Sequence, residues 1–348
     1  MSEKVYRLGP GCTVDDVSEG RMYLGKVQGF ATFGMFVQLN DKTKGLLHKS
    51  NIKTERKERD DIIVLVNQIR PNGNLDLREA SPKGDYETEL VSKKLVLTRL
   101  SDLLNKMGRN VTIEAEVVQI KQTSGPTIFT ICDESGTEDA AAFTEAGVRS
   151  YPEVQLGDIV RVHGESNKRN NQVQIEVDSM IVLKGSEADT VRARISAALE
   201  ARAEPPEIEP LIDSDILRAL WPEMRKFAKI VRRAVLTQQP IILRHHADAD
   251  GICAAVSVET AVLKYIRANG GDPDMDNFLF RRNPSKAPFY EIEDVTRDLD
   301  MLLKDNARFG QKFPLILLMD NGSTEEDMPS YKMTDVYGID VIVADHHH

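Results

Sequence analysis

Three apolar runs near the C-terminus each end in acidic or acidic-histidine clusters, and this constrains the fold more than any other feature. Pro240-Ile-Ile-Leu-Arg244 leads into His245-His-Ala-Asp-Ala-Asp-Gly251, Phe313-Pro-Leu-Ile-Leu-Leu-Met319 into Asp320-Asn-Gly-Ser, and Asp340-Val-Ile-Val-Ala344 into Asp345-His-His-His348. Amphipathic stretches separate them, with predicted helices over Ile252 to Arg267, Ile292 to Asn306 and Glu325 to Tyr331, and a short strand is expected at Phe278-Leu-Phe280. Buried-type strands alternating with helices imply an α/β domain on a mostly parallel sheet. Open sheets of this kind bind ligands outside the carboxyl ends of their strands, where these polar residues fall. Five of the seven histidines, His245, His246, His346, His347 and His348, sit at two of those ends.

The donor chemistry follows from residue type. Asp248, Asp250, Asp320 and Asp345 with His246, His346 and His347 form a hard, oxygen-rich set with some imidazole, suited to Mn2+ or Mg2+. Two such ions activate a water and stabilise the leaving oxygen in phosphodiester hydrolysis. Gly251 lets the chain bend sharply into a helix whose N-terminus can face phosphate. An EF-hand reading of Asp248-Ala-Asp-Gly251 fails, because there is no Glu at the twelfth position and the flanks read strand then helix. Asp320-Asn-Gly taken alone is equally good turn chemistry. Arg281 and Arg282 could meet phosphate or simply form a solvated edge.

The N-terminal half is built differently. From Gly20 to Leu77, short alternating stretches bounded by glycine predict a small antiparallel barrel. The spacing of Phe33-Gly34-Met35-Phe36 predicts Phe33 and Met35 on one face and Phe36 on the other. From Asn110 to Lys184 the alternation of Val111 to Ile120, Ile159 to Val162 and Gln172 to Val177 predicts a second barrel. Helices separated by Glu204-Pro-Pro-Glu207 are expected between this barrel and the α/β domain. The resulting fold class is multidomain: two all-β barrels, which look like OB barrels, followed by an α/β domain with a mostly parallel sheet. Its divisions are 1–80 (first barrel), 81–109 (helical linker), 110–185 (second barrel), 186–239 (helical linker) and 240–348.

Net charge is −10, which argues against a surface coated for non-specific duplex binding. The charge is uneven: residues 21–80 hold 11 basic against 7 acidic residues, and 240–348 hold 11 against 19. Residues 110–185 hold 6 against 12, so the second barrel is a poor electrostatic funnel unless Arg161, Lys168 and Arg169 cluster. The three cysteines form no Cys-x-x-Cys, which fits a reducing cytoplasm. No apolar run approaches the roughly 20 residues of a membrane span, and no signal peptide is expected.

Two resemblances sharpen this reading. Phe33-Gly-Met-Phe-Val37 followed by Gly45-Leu-Leu-His-Lys-Ser50 resembles the RNA-binding OB barrel named after ribosomal protein S-one. That likeness implies single-strand binding through Phe33, Phe36 and His48 with Lys26 and Lys49, stacking plus cations being how such barrels hold single strands. Asp248-Ala-Asp-Gly251, Asp320 and Asp345-His346-His347 resemble the three ordered motifs of the DHH phosphoesterase superfamily, and within it the archaeal RecJ-like nucleases. The resemblance implies His246, Asp248, Asp250, Asp320 and His346 as metal ligands, with Asp345 and His347 as catalytic residues that complete or orient the site. His246 stands where bacterial members place another aspartate. The family continues past the third motif, so this sequence resembles a fragment. The implied activity is metal-dependent, exonucleolytic hydrolysis of single-stranded DNA or RNA in replication and repair, with a GINS-type replication complex as partner. Two rivals are a small oligonucleotide or cyclic-dinucleotide phosphodiesterase of the same superfamily, against which the barrels argue, and a non-catalytic nucleic-acid-binding scaffold, against which the intact motifs argue.

Overall fold

The computed structural model describes residues 3–93, 95–169, 172–269 and 275–347. They divide into two compact units, Met1–Leu97 with Ser179–Ile181, and Thr98–Asp178 with Val182–His348.

The first unit is a barrel with two added strands. Strands β2 (Met22–Ala31), β3 (Gly34–Gln38), β4 (Lys44–His48), β6 (Leu75–Glu79) and β5 (Asp61–Ile69) pair in that order, and β5 pairs back to β2. Alternation sends Tyr23, Val27, Met35, Val37, Leu47, Val64, Val66, Leu75 and Leu77 into the core. At Gly45 a Cβ would stand 2.7 Å from the Leu77 side chain, so the seam between β4 and β6 closes only without one. The segment expected to be a helical linker, 81–109, contains instead β7 (Tyr86–Val91) and a short 3-10 turn at Leu100–Lys106. β7 pairs in parallel with β1 (Glu3–Leu8), which pairs in parallel with β2. Its residues remain mostly exposed, so no apolar alternation announced a strand whose support is backbone hydrogen bonding.

The second unit opens with a closed barrel, β10 (Thr137–Ala142), β12 (Gln172–Val182), β11 (Ile159–Arg169), β8 (Asn110–Gln122) and β9 (Thr127–Cys132). Helices α1 (Gly185–Ala203) and α2 (Asp215–Leu236) follow. Four strands then form a wholly parallel sheet in the order β14 (Phe280–Ser285), β13 (Ile241–His246), β15 (Leu315–Met319), β16 (Val341–Ala344). Phe278 and Leu279, expected in a strand, belong to the short helix α4 (Met275–Leu279), and the strand begins at Phe280. β14 is polar and contains Pro284, which an edge strand tolerates.

The sheet's two faces bury alternate residues of the same strands. Ile241, Leu243, Leu315 and Leu317 pack with Ala255, Val262 and Ile266 of α3 (Ala249–Asn269) and Val231 and Val235 of α2. Ile242, Ile316 and Leu318 pack on the other face with Val295, Leu299 and Leu302 of α5 (Ile292–Phe309). A further helix, α6 (Met328–Val336), precedes β16. Burial on both faces explains why these strands read as continuous apolar runs. In chain order β14-β13-β15-β16 is second, first, third, fourth, so the winding reverses between β13 and β15, and the crevice outside their carboxyl ends is where such a sheet holds a ligand. No helix among the described residues is long and apolar enough to cross a membrane.

Candidate metal centre and nucleic-acid interface

β13, β15 and β16 deliver the donors to that edge of the sheet. His246 ends β13, and its Nδ1 lies 3.0 Å from Asp248 Oδ2 and 3.7 Å from Asp320 Oδ2. Asp320 follows β15 in a left-handed conformation at φ 58°, a backbone state that Asp adopts more readily than most side chains. Its Oδ1 lies 3.0 Å from His346 Nε2, which is 3.6 Å from Asp250 Oδ2. Among the described residues two donor groups have ligand atoms within 4.8 Å of one another: His246, Asp248 and Asp320, and Asp320, His346 and His347. Asp320 belongs to both. Asp250, at the exposed first turn of α3, stands outside both groups.

Burial and charge bias these groups. Desolvation pushes the Asp320 carboxyl above its usual range, reinforced by Asp248 and Asp250. For Asp248 desolvation acts upward, but the Gly251 N–H, which donates to Oδ1 at 3.1 Å, and the neighbouring donors outweigh it and hold the carboxyl low. Asp320 Oδ2 and His246 Nδ1 are both buried without a hydrogen-bond partner. Orphaned polar atoms converging from two strand ends carry a desolvation cost that a divalent cation would offset, so the residues present fit such an ion.

Asp345 plays a different part from the donors. The Ser323 N–H and hydroxyl donate to its Oδ2 at 3.0 and 2.8 Å, and the His347 ring holds its Oδ1 at 2.7 Å through Nδ1. Burial opposes the charge of Asp345, yet these bonds and the His346 and His347 N–H groups keep the carboxyl below its usual range, and the same contact raises His347. With Nδ1 committed to Asp345, His347 has Nε2 left for other partners. Sequence reasoning missed Ser323, whose only signal was its place in the Asp320-Asn-Gly-Ser turn.

Gly251 is required by close approach: a Cβ there would collide with the His246 carbonyl and stand 2.8 Å from Asp320 Oδ2 and 3.1 Å from Asp248 Oδ1. Gly251→Ala is expected to destabilise the fold by about 1–3 kcal/mol and displace both carboxylates, measurable as a lower urea midpoint together with weaker Mn2+ binding.

The flanking basic residues are already engaged. Arg281 pairs with Asp305 at 2.8 Å. Arg282 pairs with Glu259 at 2.8 Å and lies 3.2 Å from Nε2 of the buried His245, whose Nδ1 contacts the His246 carbonyl at 2.7 Å. Nor do Arg161, Lys168 and Arg169 form a basic cluster: Arg161 is buried against Glu114 at 2.7 Å, while Lys168 and Arg169 are exposed at the end of β11.

On the first barrel the expected binding residues fall on β3, β4 and their turns. Phe33 and Met35 do not share a face. Met35 is in the core, while Phe33, in the turn before β3 and 49% exposed, meets Phe36 edge-to-face with ring centroids 6.3 Å apart. His48 lies opposite Gly34, its Nδ1 2.9 Å from the Ser50 hydroxyl, and the Lys49 N–H donates to the Phe33 carbonyl. Lys26 is displaced along β2, opposite Gln38, and lies 3.8 Å from Asp61. Two exposed neighbours, Phe30 and Lys44, were missed, although the period of two from Lys26 to Phe30 could have found the first.

Comparison with known proteins agrees with the barrels. Residues 16–70 match the S1 RNA binding domain, and residues 111–183 match an OB-fold nucleic acid binding domain of the tRNA anticodon type. The chain therefore carries two nucleic-acid-binding domains of the OB class. An uncharacterized protein of Methanocaldococcus jannaschii is 41% identical over 99% of this chain and 46% of its own length, so the chain spans about half of that relative. A polyribonucleotide nucleotidyltransferase of Ruminiclostridium cellulolyticum is 32% identical over 21% of this chain and 12% of its own length. A solved structure described as the DHH domain of a member of the S1p family of ribosomal proteins is 44% identical, with a TM-score of 0.46 over 47% of this chain and 38% of that one.

Proposed function

We propose that the α/β domain is a divalent-metal-dependent phosphodiesterase of the RecJ-like type, acting on single-stranded nucleic acid captured by the barrels. The carrying observation is that the two donor groups share Asp320 at the crossover point of a parallel sheet, with Asp320 Oδ2 and His246 Nδ1 buried without a hydrogen bond. His246, Asp248, Asp320, His346 and His347 would hold Mn2+ or Mg2+. When bound, two such ions supply an activated water and charge stabilisation for the leaving oxygen of a phosphodiester. Asp345 orients His347, and the Gly251 N–H holds Asp248 in place. The N-terminus of α3, 21 residues long, opens beside these donors and favours a phosphate there. Asp250 stands at its rim, 3.6 Å from His346.

The test is cleavage of end-labelled single-stranded RNA and DNA with Mn2+, with EDTA, and with Asp320→Asn. Products shortened from one end, formed only with Mn2+ and absent for Asp320→Asn, are expected. Cleavage that persists in EDTA or in the variant contradicts the proposal, and retention without cleavage favours the scaffold reading. The barrel has its own test. Phe33→Ala is expected to weaken single-stranded RNA binding by about tenfold, one lost stacking contact, at unchanged melting temperature. Fluorescence anisotropy and thermal melting together check it.

A further inference from the structure

The first barrel carries a second basic surface, apart from its aromatic one. Met22 of β2, Leu65 of β5 and Arg78 of β6 pair in one row across three neighbouring strands. The adjacent row, Tyr23, Val64 and Glu79, is buried, so this one faces outward. It floors a groove of about 560 Å3 that Arg21, Lys53 and Lys83 also line. In the ring of strands β5 stands across the barrel from the β3–β4 pair, which carries Phe36 and His48 and begins just after Phe33. The groove therefore lies outside the face expected to hold a single strand.

Its cations are free and its acids are not. Lys53, Arg78 and Lys83 are exposed, and among the described residues none of their charged groups is in an ion pair. The two carboxylates in the lining are spent on backbone. Glu79 is buried and accepts the Lys53 and Thr54 N–H groups, and Glu3 accepts the Lys83 N–H at 2.9 Å. These bonds fix the segments that present Lys53 and Lys83 while leaving both ammonium groups open, so part of the ordering cost of binding an anion is already met.

The lining also discriminates between anions. A nucleic-acid strand gains most from aromatic faces on which its bases stack. Tyr6, the aromatic residue in this lining, has its ring engaged: the Arg21 guanidinium lies over it at 4.8 Å from the centroid, and the Tyr23 ring packs 5.8 Å away. What remains is an aliphatic floor of half-buried Met22 and Leu65 under a rim of cations. Carboxylates suit that rim, Arg78 being able to take one with two parallel hydrogen bonds, and aliphatic side chains suit that floor.

We propose that this groove docks an acidic segment of a partner protein, its carboxylates on Lys53, Arg78 and Lys83 and an aliphatic side chain between them on Met22 and Leu65. The assignment does not rest on the phosphodiesterase reading.

Fluorescence anisotropy tests it with a labelled eight-residue peptide holding four glutamates and two leucines, the same peptide with both leucines replaced by glycine, and single-stranded RNA. The proteins are the unaltered chain, Arg78→Glu, Lys83→Glu and Phe33→Ala. Arg78 and Lys83 are exposed side chains on separate segments, so loss of fold in one variant, read by thermal melting, leaves the other to decide. The leucine peptide is expected to bind saturably, at least about tenfold more weakly to either charge reversal and equally well to Phe33→Ala. The glycine peptide should bind at least about tenfold more weakly than the leucine peptide. RNA binding should follow Phe33→Ala instead. No saturable peptide binding, peptide binding indifferent to both reversals, or equal binding of the glycine peptide would each overturn the proposal. So would a loss of RNA affinity in Arg78→Glu as large as that in Phe33→Ala, which would make the groove part of the RNA path.

Discussion

Asp320→Asn is expected to lower Mn2+ affinity by at least about 100-fold, because it removes the one carboxylate that both donor groups share. Outer-shell partners of metal ligands alone cost roughly 10–100-fold, and Asp320 is placed as a direct donor. The same change is expected to raise the melting temperature of the metal-free protein by a few degrees. Asp320 is 7% exposed, Oδ2 makes no hydrogen bond, and Asp248 and Asp250 stand nearby, so a neutral amide relieves charge repulsion. Melting with and without Mn2+ reads both effects. Addition of the ion should stabilise the unaltered chain and leave the variant where it was. A variant that melts lower without metal and is still stabilised by it contradicts this assignment of Asp320.

The second large effect lies beneath the site. Arg244, in β13 two residues before His246, is 3% exposed and makes two 2.7 Å hydrogen bonds to the carboxylate of Asp298 on α5. Asp294 pairs with the same guanidinium at 3.0 Å, and Tyr290 donates to Asp298 Oδ2 at 3.0 Å. Burial acts against the charge of Arg244, but the bonds and charge of Asp298 outweigh it, and burial pushes the Tyr290 phenol far up, so it remains a donor. Asp298→Ala leaves a buried guanidinium short of its main partner and is expected to cost about 3–5 kcal/mol. Replacing both residues, Arg244→Met with Asp298→Leu, should recover only part of that loss, because the buried Asp294 carboxylate then loses its guanidinium partner. Urea unfolding of the two single variants and the double variant checks this. Single and double losses that simply add would mean the pair is not coupled.

Both effects were legible in the sequence to different degrees. The donors stood out because apolar runs ending in Asp and His have few structural uses, and the strand order brings the ends of β13 and β15 side by side. Asp250 read as equal to Asp248 in sequence, but among the described residues only Asp248 joins a donor group, while Asp250 stands beside it in the exposed first turn of α3, 3.6 Å from His346. Arg244 gave a weaker signal, a lone charge inside an apolar strand, and its partners lie about fifty residues away on a helix whose register no local pattern fixes. β7 was missed because its ladder is made by backbone groups and its side chains face water. Phe33 was misplaced by one element: the alternation argument holds only inside a strand, and β3 begins at Gly34.

Locating Mn2+ directly tests the central claim. An anomalous-difference map from a crystal of this chain grown with Mn2+ should show two peaks about 3.5–4 Å apart on either side of the Asp320 carboxylate, one beside His246 and Asp248 and the other beside His346 and His347. A map with no peak at Asp320, or with Mn2+ bound only elsewhere on the chain, would contradict it.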